Sequence, residues 1–223
     1  MRAFVANGPD SWVWWDWVGR HGDEIAMRAK EHLVLTVVSV VLGALIAFPV
    51  AIVASRVRRM AVPSLWVAGV IYTIPSLALF ALLVPWTGLS RTTSLIGLTS
   101  YTLLILVRNG LIGLQSVPED VKEAAVGMGY SSWHRLVRVE LPLAVPSLIA
   151  GVRIATVTTV GLVAVTALIG QGGFGQFILD GYERAFRTPL VVGSVASIAL
   201  AVAADLLLLG VQRLVTPWDR ARR

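Results

Sequence analysis

Apolar residues gather in five long runs, at positions 33–54, 62–86, 92–114, 143–169 and 189–214. The hydrocarbon core of a bilayer is about 30 Å thick and takes about 20 apolar residues in a helix to cross. Each run therefore predicts a membrane-spanning helix, and helices are the form that satisfies every backbone group inside lipid. The first two runs hold no charge. The third has Arg108 near its end, the fourth Arg153 near its start, and the fifth contains Asp205 and closes on Arg213. Pro75 is expected to kink the second run. The pattern gives an all-α, polytopic membrane protein with five transmembrane helices. The first long apolar run begins only at Leu33, which is late for a cleavable signal, so it is expected to stay as an anchor.

Composition agrees with this picture. Of the 223 residues, 56% are hydrophobic and 14% are charged, against about a quarter charged in a soluble domain. The length suits a single domain. A net charge of +6 with a sequence pI near 10.5 raises the question of a nucleic-acid partner. The basic residues form no stripe, however; they sit at the ends of apolar runs. Arg56, Arg58 and Arg59 follow the first run, Lys122, Arg135 and Arg138 lie between the third and fourth, and Arg213, Arg220, Arg222 and Arg223 close the chain. Lys and Arg in short loops mark the cytoplasmic side. The expected topology thus has the N-terminus outside and the C-terminus inside, in the plasma (inner) membrane of a prokaryote. Arg108 and Arg153 then both lie near the inner face, where they can snorkel to water. Three regions follow: an extracytoplasmic or interfacial segment 1–32, a transmembrane domain 33–215 and a basic cytoplasmic tail 216–223. Cysteine is absent, which excludes disulfides and thiol chemistry.

Two loops stand out. Near the N-terminus, Ser11 to Trp17 reads SWVWWDW. Trp favours the membrane interface, so an interfacial belt or a surface-lying helix is expected; an aromatic cage for a quaternary ammonium is the alternative. The longest inner loop, about 115–142, reads QSVPEDVKEAAVGMGYSSWHRLVRVELP. Pro118, Glu119 and Asp120 suit a helix start. Glu123, Ala124 and Ala125 continue that helix, Gly127 and Gly129 break it, and Trp133, Leu136 and Val137 make a second apolar turn before Pro142.

This loop resembles the EAA loop of ABC importer permeases: EAA, three residues, G, nine residues, I, one residue, LP. The matching positions are Glu123, Ala124, Ala125, Gly129, Val139 in place of Ile, Leu141 and Pro142. The resemblance extends over about 31–212. Two runs, TIPSLALFALLVPWTGLSRTTSLIGLTSYTLLILVRNGLIGL and AGVRIATVTTVGLVAVTALIGQGGFGQFILDG, are similar to the osmoprotectant permeases, which import glycine betaine, choline, carnitine or related solutes. The resemblance implies a type I ABC importer permease core whose inner loop is a coupling helix. That helix would seat in a groove of a separate ATPase and transmit its closure on ATP. Glu123, Ala124, Ala125, Gly129, Leu141 and Pro142 would form the coupling site. The implied partners are two ATPase subunits carrying ATP and Mg, an extracytoplasmic binding protein, and a second permease in a homodimer or heterodimer. Another amine or an amino acid is the alternative cargo.

The remaining chemistry is sparse. Gly170, Gln171, Gly172, Gly173, Phe174 and Gly175 satisfy GxGxxG, but a membrane helix precedes them where a dinucleotide fingerprint needs a strand. They are expected to form a flexible outer turn, with Gly172, Gly173 and Gly175 as a candidate docking place for the binding protein. Polar residues within spans nominate a translocation path: Thr73, Pro75 and Ser76 on the second, Thr156, Thr159 and Thr166 on the fourth, and Asp205 on the fifth. Asp205 must face protein or water, with Arg153 or Arg213 as a structural partner. His21, His32 and His134 are scattered, no metal-ligand spacing exists, and no GxxxxGK[ST] is present. No catalytic, cofactor or metal site is expected in this chain. A passive channel or an ion-coupled carrier, which needs no coupling loop, is the rival of a different class.

Overall fold

The computed structural model describes residues 11–217, and all regular structure among them is helical. Residues 1–10 of the expected N-terminal segment, and Arg220, Arg222 and Arg223 of the basic tail, lie outside the described residues. A short α1 (Trp15–Arg20) precedes α2 (Gly22–Arg56), which starts well before the apolar run at Leu33. Its first turn carries Asp23 and Glu24 and its last Arg56, the charge order that complements a helix dipole. Next come α3 (Arg58–Thr73), α4 (Ser76–Thr87), α5 (Arg91–Gln115), α6 (Glu119–Gly127) and α7 (Ser132–Arg135). A π turn (Leu136–Glu140) leads into α8 (Leu141–Val165), and a 3-10 turn (Thr166–Ile169) ends it. Then α9 (Phe174–Glu183) and α10 (Arg187–Val215) complete the chain.

Among the described residues, four segments are long and apolar enough to cross a membrane, or five when α3 and α4 count together. The expected kink at Pro75 is a full break. Thr73 ends one helix, and Pro75 takes an extended ψ of 132° as the cap of the next. The lost N–H of proline and the restricted residue before it explain the interruption. The fourth run matches α8 and its 3-10 end; Pro142 is the second residue of α8, and Pro146 lies inside it.

The described residues form two compact units, and the division falls inside α2, α5, α8 and α10. One unit holds the described residues through Ser39, with Ile74–Thr99 and Thr156–Ala204. Its core is Leu35, Phe80, Leu98, Val163 and Ile169. Phe80 lies so close to α5 that a Cβ on Gly97 would come within 2.4 Å of its ring. His32 is fully buried there and its Nε2 meets the Val160 carbonyl oxygen at 3.0 Å.

The other unit holds Val40–Thr73, Ser100–Ala155 and the described residues from Asp205. Ala47, Leu106, Val107 and Ala155 make one cluster, and Leu114, Leu136 and Ala144 another. Small residues set the contacts: a Cβ on Gly43 would overlap Thr102, and one on Gly110 would meet Ala51 at 2.8 Å. Lipid gives helices no hydrophobic reason to associate, so close van der Waals packing at glycine and alanine has to hold them. Large apolar side chains such as Ile198, Leu206 and Leu207 on α10 stay exposed, as suits a hydrocarbon surround.

Candidate functional site

The segment that matched the EAA pattern is built on a firm base. Val117 and Leu136 are buried, and Leu136 packs with Leu114 and Ala144. Pro118 caps α6, whose first turn carries Glu119 and Asp120 as its sequence indicated. The helix ends in a Schellman turn: Tyr130 N–H reaches the Ala125 carbonyl at 3.0 Å and Gly129 N–H the Val126 carbonyl at 2.9 Å. Gly129 has φ +81°, the left-handed conformation that glycine adopts without a Cβ penalty. Gly127, by contrast, is the last residue of the helix itself. Ser131 then caps α7, accepting from the His134 backbone N–H at 3.3 Å.

Glu123, Ala124 and Gly129 are exposed, and Leu141 and Pro142 half-buried. Ala125 departs from expectation: it is 1% exposed and packs inside the chain, so it supports the surface from beneath. Its place is taken by side chains that the motif did not nominate. Val126, Met128 and Trp133 stand 53%, 68% and 69% exposed. Three large apolar groups open to water on a polar loop are a recognisable sign of a contact surface. The second missed residue is Glu140, at the unassigned position between Val139 and Leu141. It is buried in the π turn. Its carboxylate takes Arg135 at 2.8 Å and Arg56, the last residue of α2, at 2.9 Å. The visible signal was an acid between Val139 and Leu141, two residues before a proline.

The candidate path residues separate into several surroundings. Thr73 and Pro75 are exposed at the break and Ser76 is half-buried; Thr73 donates to the Val70 carbonyl at 2.7 Å. Thr156, Thr159 and Thr166 are buried. Thr166 donates to the Val163 carbonyl at 2.7 Å, the local satisfaction open to any helical threonine. Asp205 receives both Nε and Nη2 of Arg153 at 2.9 Å. Arg153 also donates to Gln212 Oε1 at 3.1 Å. Of the two arginines considered from the sequence, Arg153 is thus a partner, and the bidentate geometry joins α8 to α10.

The glycine-rich turn, expected to be a flexible loop, is packed against its own chain at Gly172, Gly173 and Gly175. Gly170 closes another Schellman turn, with Gln171 N–H on the Thr166 carbonyl at 3.1 Å. Gly172 and Gly173 have φ of +116° and +51°. Gly172, Gly173 and Gly175 are all buried. A Cβ on Gly173 would lie 2.5 Å from His32 Cβ, and one on Gly175 2.3 Å from the Ala164 carbonyl oxygen. These glycines are there because backbone runs against backbone, which removes them from any exposed docking surface.

The Trp-rich segment divides. Trp12 and Trp15 are exposed. Trp17 stacks on His21 with ring centres 4.0 Å apart and meets Phe177 and Phe186 edge-on at 5.9 Å each. Trp14 N–H donates to Thr188 at 2.9 Å. The Trp17 ring is engaged by its own chain, which fits a short helix fastened to α9 and α10 better than a cage.

Residues 34–218 match the family model described as the inner membrane component of binding-protein-dependent transport systems. Curated relatives share that character. The glycine betaine/carnitine/choline transport system permease protein OpuCB of Bacillus subtilis is 30% identical over 197 residues, 88% of this chain and 91% of that protein. The osmoprotectant import permease protein OsmW of Salmonella typhimurium is 35% identical over 198 residues, 86% and 92% of the two chains. Among solved structures, an inward-facing MetNI methionine ABC transporter chain superposes with a TM-score of 0.76 at 24% identity, covering 86% of this chain and 96% of that one. That likeness establishes the fold as the type I ABC importer permease. Family and helices together make the protein a multi-pass membrane component of a transporter that works with an ATPase and a substrate-binding protein. The chain belongs to the inner membrane components of binding-protein-dependent transport systems.

Proposed function

We propose that this chain is the permease through which an ATP-driven importer moves a quaternary amine of the glycine betaine, choline or carnitine type into the cell. The observation that carries the mechanism is the 115–142 segment. Its exposed face presents Glu123, Ala124, Gly129, Val126, Met128 and Trp133, while its base is packed into the helices. A rigid, partly apolar projection of this kind suits a groove on a separate ATPase. Two ATPases, holding ATP and Mg, close on each other and push one such projection each, so the permease works as a pair. The pair shifts between outward-open and inward-open states, and the binding protein delivers solute from outside.

The orientation follows the same logic. Arg56 and Arg58 adjoin the end of α2, and Arg56 bonds Glu140 of the loop. Two of the arginine-bearing stretches assigned inward therefore meet in space, as a cytoplasmic location for both requires. The N-terminus is then outside and the C-terminus inside. The choice of cargo rests on the named transport of the relatives, and the glycines once considered for binding-protein docking leave that role to exposed neighbours. Thr73 and Pro75, exposed at a break in a span, and the half-buried Ser76 are the path candidates carried forward.

The test is uptake of radiolabelled choline, glycine betaine and carnitine in cells that lack the gene and in cells that regain it. Restored, energy-dependent uptake of at least one supports the reading. Restored uptake of an amino acid alone overturns the choice of cargo, and uptake that survives ATP depletion overturns the mechanism.

A further inference from the structure

Docking an ATPase on α6 moves solute only if the push reaches a spanning helix. The chain continues through the π turn into α8, so α8 is reached covalently. A second route is visible in the side chains, and it leads to α2.

Glu140 is 3% exposed, and each of its carboxylate oxygens has its own arginine. Oε1 accepts from Arg135 Nε at 2.8 Å, and Oε2 is ion-paired with Arg56 Nη2 at 2.9 Å. Arg56 also lies 3.5 Å from the Ser132 carbonyl at the start of α7. A basic residue ending a helix ordinarily faces its own last carbonyls; this one reaches across to another element. The backbone beneath is adapted to the contact. Pro142 has no N–H to offer the Arg138 carbonyl, and its ring crowds that oxygen in an α turn. The chain widens instead, and Leu141 N–H reaches back to the Leu136 carbonyl. A π turn of this kind is uncommon and often sits at functional positions. Here it ends on Glu140. A doubly paired, desolvated carboxylate is poor evidence for stability, since apolar side chains of similar size serve that purpose as well. Its distinguishing property is a fixed geometry between three elements: α2, α7 and the entry to α8.

We infer that Glu140, held between Arg56 and Arg135, is a positioning residue that ties the end of α2 to the coupling segment, so that displacement of that segment moves α2 together with α8. This rests on the reading of 115–142 as the ATPase-docking segment. Arg56 is the last residue of α2, so a pull there acts directly on the end of that helix.

The experiment uses the full complex of permease, ATPase and binding protein in proteoliposomes. The solute is whichever of choline, glycine betaine or carnitine the wild type takes up. Glu140→Gln, Arg56→Gln and the double variant are compared for ATPase co-purification, ATP hydrolysis and solute moved per ATP. Each single variant is expected to keep the ATPase bound and hydrolysing, and to lose about tenfold in solute per ATP. The double variant should be no worse than either single, because one shared contact is removed. Unchanged solute per ATP overturns the inference, as does loss of ATPase binding in Glu140→Gln, which would make Glu140 a support for the docking face. Multiplying losses in the double variant also overturn it. Should Glu140→Gln not fold, Arg56→Gln decides alone, since the Arg56 side chain is 31% exposed. Met128→Glu separates the two readings: if it leaves ATPase binding intact the docking surface is wrong, whereas loss of binding there with normal coupling in Glu140→Gln removes only the tie.

Discussion

Replacing Gly129 separates a backbone requirement from a partner's requirement. Gly129 has φ +81°, and a Cβ built there meets nothing within 4 Å in the chain. The cost of any L-residue is therefore conformational. It is about 1–2 kcal/mol for an ordinary side chain in the left-handed region, and less for Asn, whose short polar side chain is accommodated there. For a chain of this size, about 1 kcal/mol corresponds to roughly 2–4 °C of melting temperature. Gly129→Asn should melt close to wild type, and Gly129→Ala and Gly129→Leu should fall by similar small amounts, because the extra carbons of Leu find open space. Function should rank differently. Asn and Ala should retain much of the uptake, while Leu should lose ATPase binding or solute moved per ATP, since its bulk projects where the partner sits. The assays are melting of the detergent-purified permease, co-purification of the ATPase, and uptake per ATP hydrolysed. If Leu melts far below Ala, the space is not open and the geometric argument fails. If Leu melts like Ala and transports like wild type, no partner occupies the surface beside Gly129.

Two other substitutions follow from the packing. Gly175→Ala drives a Cβ to 2.3 Å from the Ala164 carbonyl oxygen, while Gly161→Ala meets nothing within 4 Å; overpacking against backbone costs about 1–3 kcal/mol or more, so the first should melt well below the second, and equal melting would show that the turn gives way. Asp205→Asn leaves Arg153 short of its bidentate partner; it should lower the melting temperature while uptake per folded permease holds, and a joint change of Arg153 and Asp205 to Leu should recover much of the melting loss. A large fall in uptake with unchanged melting would instead put Asp205 on the solute's path.

The spans were legible because lipid demands long apolar helices and leaves few alternatives. The start of α6 and its glycine stop were equally readable, since Pro118, Glu119, Asp120 and Gly129 each act through local backbone chemistry. Long-range features were harder to read. The EAA pattern treats Ala124 and Ala125 alike, yet one faces out and the other in, which depends on tertiary packing that a local pattern does not record. The buried state of Gly172, Gly173 and Gly175 depends on Ala167, His32 and Ala164 respectively, residues distant in the chain or just before the turn. Glu140 drew no notice because its two arginines were accounted for as loop charges; their meeting is a tertiary fact. The Asp205 partner was among the two named from sequence because an intramembrane acid has so few options.

The account stands or falls on which side of the membrane the 115–142 segment occupies. The chain has no cysteine, so Met128→Cys, at an exposed position, supplies a single thiol without background. A membrane-impermeant maleimide should label it in inside-out vesicles stripped of the ATPase, spare it in intact cells, and be blocked when the ATPase is added back. Labelling in intact cells would place the segment outside, beyond the reach of any cytoplasmic ATPase, and would contradict the proposed mechanism.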